Sequence, residues 1–148
     1  MAKLGRYSAD RKKIEALTAA KTVEVADCGT VFTLGTAGGF AVVLPNASDC
    51  GAGWWCKFIV KVSPTGGNYT IDASSGDGNN LHGVTAYSSG SIDVASLDLA
   101  DSTNGTAVDR ITIVQNKAKI GDQVELVSDG ALWYVTGMTK DPAAVTYD

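Results

Sequence analysis

The chain has 148 residues, of which 45% are hydrophobic and 19% charged, with a net charge of −4. That length suits one domain, and the balance excludes a disordered chain. No run of about 18 apolar residues is present to cross a membrane, and no apolar stretch follows the basic N-terminus as in a secretory leader.

Charge is unevenly placed. Residues 1–25 hold six basic and three acidic side chains, a net +3, which leaves −7 for the remainder. A basic segment ahead of an acidic body points to different partners for the two parts. The division falls at residues 1–21 for an N-terminal arm and 22–148 for the body. In the arm, Ser8 suits a helix cap, Ala9 to Ala20 are mostly helix formers, and Tyr7, Ile14 and Leu17 make a short apolar stripe. A helix of about a dozen residues is marginal alone, so the arm is expected to order on contact.

From Val23 the pattern becomes β. Val31–Leu34 and Phe40–Leu44 read as strands around the turn cluster Gly35–Gly39, with a stop at Pro45. The central stretch Trp54–Val62 alternates strictly. Trp54, Cys56, Phe58, Val60 and Val62 share an apolar face, and Trp55, Lys57, Ile59 and Lys61 share a mixed one. Pro64 and Gly66-Gly67 then predict a reversal, with Tyr69 and Ile71 on a hairpin partner. Residues 72–109 read as long loops with weak strands, Leu81–Tyr87 as a short strand and Ser88–Asp109 as a polar mixture with short apolar runs such as Val94–Leu99. Ile111 and Ile113 alternate again. Val124 and Leu126 open a final hairpin that turns at Ser128-Asp129-Gly130 and returns through Trp133 and Val135. The tail from Lys140 is unpatterned. The sum is an all-β fold, a compact sandwich or barrel of about eight short antiparallel strands.

Catalytic chemistry finds no constellation. The single histidine, His82, has no Gly-x-Ser-x-Gly elbow or ligand cluster to work with. Asp72, Ser74, Asp77 and Asn79 resemble part of a calcium loop but lack its closing glutamate, and an Asp/Asn turn accounts for them. Cys28, Cys50 and Cys56 lack metal-site spacing; Cys56 fits as a buried hydrophobe, and a Cys50–Cys56 bridge is the alternative. Trp55 and Tyr134 with Lys57 and Lys61 have the chemistry to stack bases, but the acidic body argues against nucleic acid. No enzyme, cofactor or metal is expected.

The order of segments carries a resemblance. Thr22–Leu34 precedes Gly39–Pro45; Phe58-Ile59-Val60 precedes Pro64–Ile71; Ile120-Gly121-Asp122 leads through Ser128-Asp129-Gly130 to Trp133-Tyr134-Val135. Over about residues 20–137, excluding 76–109, this resembles small proteins of tailed bacteriophages, the capsid decoration or cement proteins. The resemblance implies a structural virion protein, made in the host cytoplasm and bound to the outer surface of the head. It also implies a homotrimer that staples subunits of the major capsid protein. Arg6, Tyr7, Arg11, Lys12, Lys13, Ile14 and Leu17 are then the capsid-binding residues, and Trp55 and Ile59 the oligomer interface. The alternative is a module of a phage fibre or host-adhesion protein, motivated by the polar loops at 72–109. A carbohydrate-active enzyme on a β-scaffold is a third class.

Overall fold

A computed structural model describes residues 11–76, 80–88, 97–101 and 108–148. The proposed cap Ser8, the site residues Arg6 and Tyr7, and Asp77 and Asn79 lie outside the described residues. Twelve strands are described: β1 (Lys13–Leu17), β2 (Lys21–Thr22), β3 (Thr30–Leu34), β4 (Ala41–Val43), β5 (Ala52–Val60), β6 (Tyr69–Asp72), β7 (Leu81–Ser88), β8 (Leu97–Asp101), β9 (Arg110–Ile113), β10 (Gln123–Asp129), β11 (Trp133–Thr139) and β12 (Val145–Tyr147). A 3-10 turn at Val25–Asp27 and one helical turn, α1 (Ala47–Cys50), complete the elements. The fold is all-β.

Two sheets share the strands. One has seven, in the order β1-β3-β5-β10-β11-β7-β8; the other has five, in the order β12-β9-β6-β4-β2. The first six strands alternate strictly between the sheets. Each crossing reverses the chain, and two crossings restore its direction, so β1–β3–β5 and β2–β4–β6 are parallel runs. With β11–β7, five of the ten described pairings are parallel, which corrects the antiparallel expectation.

The same alternation corrects the central hairpin. The face Trp54, Cys56, Phe58 and Val60 is buried, as the side-chain pattern predicts, and Val62 is half-buried. Tyr69 and Ile71 are buried too, but β6 belongs to the other sheet. Period-two alternation says which side of a strand meets the core, not which sheet the strand joins. The loop after β5 therefore carries the chain over the core rather than folding it back. Phe32 stacks on Phe58 at 5.2 Å, and Trp54 meets Trp133 edge-on at 5.4 Å, within one buried cluster fed by both sheets.

Tyr69 ties the crossings together. Its hydroxyl accepts from the Thr36 amide at 3.0 Å and lies within donating distance of the Val62 carbonyl at 2.9 Å and of the Thr36 carbonyl. Tyr69→Phe keeps the ring against Phe40 but leaves these backbone groups short of a partner. It should cost about 1–2 kcal/mol in chemical denaturation; an unchanged midpoint would mean that the hydroxyl ties nothing.

The expected helix at Ala9–Ala20 gives way to strand β1, whose register pairs Ile14 with Val31 and Leu17 with Leu34. Intrinsic helix preference is a weak prior, and here an open sheet edge offers a full ladder. Ionic contacts fix the edge: Lys13 and Lys21 lie 3.2 and 3.3 Å from Asp27, and Lys21 lies 2.8 Å from Glu15. Lys13–Leu17, placed in the arm by the sequence reading, thus pairs as an edge strand of the seven-stranded sheet. The tail also orders, with β12 pairing against β9.

Burial alone would raise the Asp27 carboxyl, but the Glu24 amide, Lys13 and Lys21 outweigh it and hold its pKa below the ordinary 3.8. Its contribution is therefore complete above that value and is lost as pH falls below it through the folded pKa. Acid titration below pH 3.8 should loosen β1 and β2 first, read as faster amide exchange at Lys13–Thr22, and Asp27→Asn should remove that pH dependence. Equal exchange at pH 3 and pH 6, after correction for intrinsic rates, would contradict it.

Candidate functional site

The outer face of the seven-stranded sheet is the strongest candidate for a functional surface. In β5, β10 and β11 the inward positions Cys56, Phe58, Val124, Leu126, Trp133 and Val135 fill the core, so the intervening side chains point out. Strand registers line these up. Trp55 stands beside Val127, Val127 beside Tyr134, and Tyr134 beside His82. The next row runs Ile14, Val31, Lys57, Glu125, Thr136 and Val84. A third runs Ala16, Thr33, Ile59, Gln123 and Met138.

Several of these residues are unusually open for their chemistry. Ile14 is 68% exposed, Met138 60% and Tyr134 47%. Apolar side chains scattered singly over a surface need no explanation, but Trp55, Val127 and Tyr134 sit side by side on three neighbouring strands, and such a run can serve as a contact surface. The face is also uneven. One hollow of about 290 Å³ is lined by Lys12, Trp55, Glu125 and Val127. Another, of about 260 Å³, is lined by Lys57, Gln123, Glu125, Thr136, Gly137 and Met138. Glu125 stands between them, 4.0 Å from Lys57.

At one corner the face is rigidly built. Asp129 accepts from the Ala131 and Leu132 amides at 2.8 and 2.7 Å, and from the Tyr134 hydroxyl at 2.9 Å. The two amides and then the hydroxyl hold the Asp129 carboxyl below its usual range, and Asp129 in turn raises the Tyr134 phenol. Tyr134 therefore stays a neutral, anchored platform.

The structure sorts the expected site residues. Trp55, Ile59 and Ile14 share this outward face, although Ile14 was assigned to capsid binding and the other two to oligomerisation. Lys12 lines its rim, and Arg11 is exposed. Lys13 turns instead to Asp27. Leu17 is only 5% exposed and packs in the core, so it is not a docking residue. Positions 14 and 17 fall on one side of a helix but on opposite sides of a strand, which undoes the apolar stripe. Glu125, Val127 and Met138 were missed. Their outward phase is implied by buried Val124 and Leu126, but the neighbourhood of β5 and β10 joins residues about 70 positions apart.

A separate concavity of about 530 Å³ lies among Asp72, Ser74, Asp109, Arg110 and Asp148. Arg110 already pairs with Asp72 there, so the first residue of the calcium-like run is held by a guanidinium. Cys28, Cys50 and Cys56 form no disulfide, which corrects the alternative of a Cys50–Cys56 bridge. Burial pushes the Cys56 thiol well up, as for a small core hydrophobe.

No protein-family model, curated protein or solved structure matches the chain.

Proposed function

We propose that the chain is a structural virion protein that docks on the outside of a bacteriophage head and bridges neighbouring subunits of the major capsid protein. The observation that carries this reading is the outward face of the seven-stranded sheet, where Trp55, Val127 and Tyr134 run side by side and Ile14, Ile59 and Met138 stand on the same face among polar side chains. Such a face suits a broad protein contact better than a substrate, because its hollows are shallow and no nucleophile–base pair lines them. The segment order described above supports the choice of partner.

In this reading the two sheets form a sandwich body, and the body acts as a homotrimer without enzymatic activity. Arg11 and Lys12, beside β1, add basic groups to the contact, and Arg6 and Tyr7 are its further capsid-binding candidates by sequence. Repetition over a lattice lets a modest contact hold, since each docked site raises the effective concentration of the next.

Location tests the proposal. Tail-less heads purified from the phage that encodes the chain should carry it in many copies, measured by quantitative mass spectrometry. Recovery only with fibres or tails would replace the proposal with the adhesion reading.

A further inference from the structure

We propose that β1 is an open edge that takes up one further strand, an extended segment of a partner that alternates aliphatic residues and ends on carboxylates. In a parallel ladder the N–H and C=O of one residue point to the same side, and successive residues alternate. The Gly35 amide donates to the Leu17 carbonyl at 2.8 Å, so Lys13, Glu15 and Leu17 face β3. The backbone groups of Ile14 and Ala16 therefore point away from the sheet, and among the described residues no strand lies beyond β1. Such a row of main-chain donors and acceptors is a template for strand addition.

The side chains beside the row select the occupant. Ile14 is 68% exposed although its neighbour Val31 is buried, so an aliphatic residue on an added strand would cover its open flank. Arg11 and Lys12 are exposed at the N-terminal end of the edge, and none of the ion pairs among the described residues engages them. An antiparallel strand brings its C-terminal end to these two cations, where carboxylates are favoured. A second copy of β1 suits the edge less well. The register of fullest overlap, Ile14 opposite Ala16, sets Glu15 directly against Glu15. The inference is independent of the head reading, because it concerns the chemistry of the added strand and not its source.

An NMR titration of the isotope-labelled full-length chain tests it, with acetyl-Val-Thr-Val-Thr-Asp-Asp as the probe. The Ile14 and Ala16 amide signals should move most, and saturably, and their hydrogen exchange should slow. The same peptide ending in Lys-Lys should bind at least about threefold more weakly, and Lys12→Glu should weaken the acidic peptide by a similar factor. Ala16→Pro removes only an outward N–H, which an edge strand tolerates, and should weaken binding about fivefold or more. Ala16→Gly keeps that N–H and should bind like the wild type, and melting midpoints verify the fold of each variant. No movement at Ile14 and Ala16, equal binding of the two peptides, or wild-type affinity in Lys12→Glu and Ala16→Pro would overturn the proposal. So would movement of these signals with protein concentration alone, which would make a second copy the occupant.

Discussion

Gly39→Ala should be among the most damaging single substitutions in the chain, lowering stability by about 3 kcal/mol or more. Two independent costs coincide. The residue sits at φ 68°, which an L side chain adopts with strain. A Cβ there would also stand 2.2 Å from the Asn68 carbonyl oxygen and 2.6 Å from that of Gly67. Both obstacles are backbone, so no rotamer change relieves them. Gly67→Ala should approach the same loss without the φ cost, since its Cβ would meet the Gly38 carbonyl oxygen at 2.3 Å. Gly53→Ala is the control. Its φ is 88°, but nothing lies within 4 Å of the added carbon, so only about 1 kcal/mol is expected. Thermal unfolding reads the contrast: about 3 °C of midpoint per kcal/mol gives roughly 10 °C for Gly39→Ala and 3 °C for Gly53→Ala. Equal shifts would mean that the two crossing loops do not pack backbone to backbone.

The second large effect is on association. Trp55→Glu combined with Met138→Glu should weaken head binding by at least about 100-fold, because each places a charge within a desolvated contact. Met138 is 60% exposed and its change should cost about 0.5 kcal/mol or less, whereas Trp55 is half-buried beside Gly29, so the melting midpoint of the variant must be shown to stay well above the assay temperature. If the trimer uses the same face, Trp55→Glu alone should also reduce the solution mass to that of a monomer by light scattering. Wild-type binding and mass in the double variant would remove this face from the account.

Much of the fold was legible because period-two alternation is a local property. The buried sets of β5, β10 and β11 follow from it, and the Asp129-Gly130 turn from equally local turn chemistry, with Gly130 at φ 94°. What could not be read was long-range. Nothing in Val31–Leu34, Trp54–Val60 or Tyr69–Ile71 announces that successive strands join different sheets, and this alternation makes four of the ten described pairings parallel. The segment Lys13–Leu17 misled for the opposite reason. Its residues favour helix locally, and the sheet edge together with Asp27 decides otherwise. The candidate face was half visible: Trp55 and Ile59 could be read from their own strand. Adding Ile14, Glu125, Val127 and Met138 required β1, β3, β5, β10 and β11 to be side by side. The glycine pairs also looked like ordinary turn chemistry, whereas Gly39 and Gly67 are needed because one loop's backbone rests on the other's.

The central claim is that this chain binds phage heads through the outer face of its seven-stranded sheet. The most direct measurement adds the purified chain to expanded heads that lack it and follows co-sedimentation to saturation, with the Trp55→Glu, Met138→Glu double variant alongside. The account predicts saturable binding at a fixed number of copies per head, and little or none for the variant. Failure of the wild-type chain to sediment with heads, or equal occupancy by the two proteins, would contradict it.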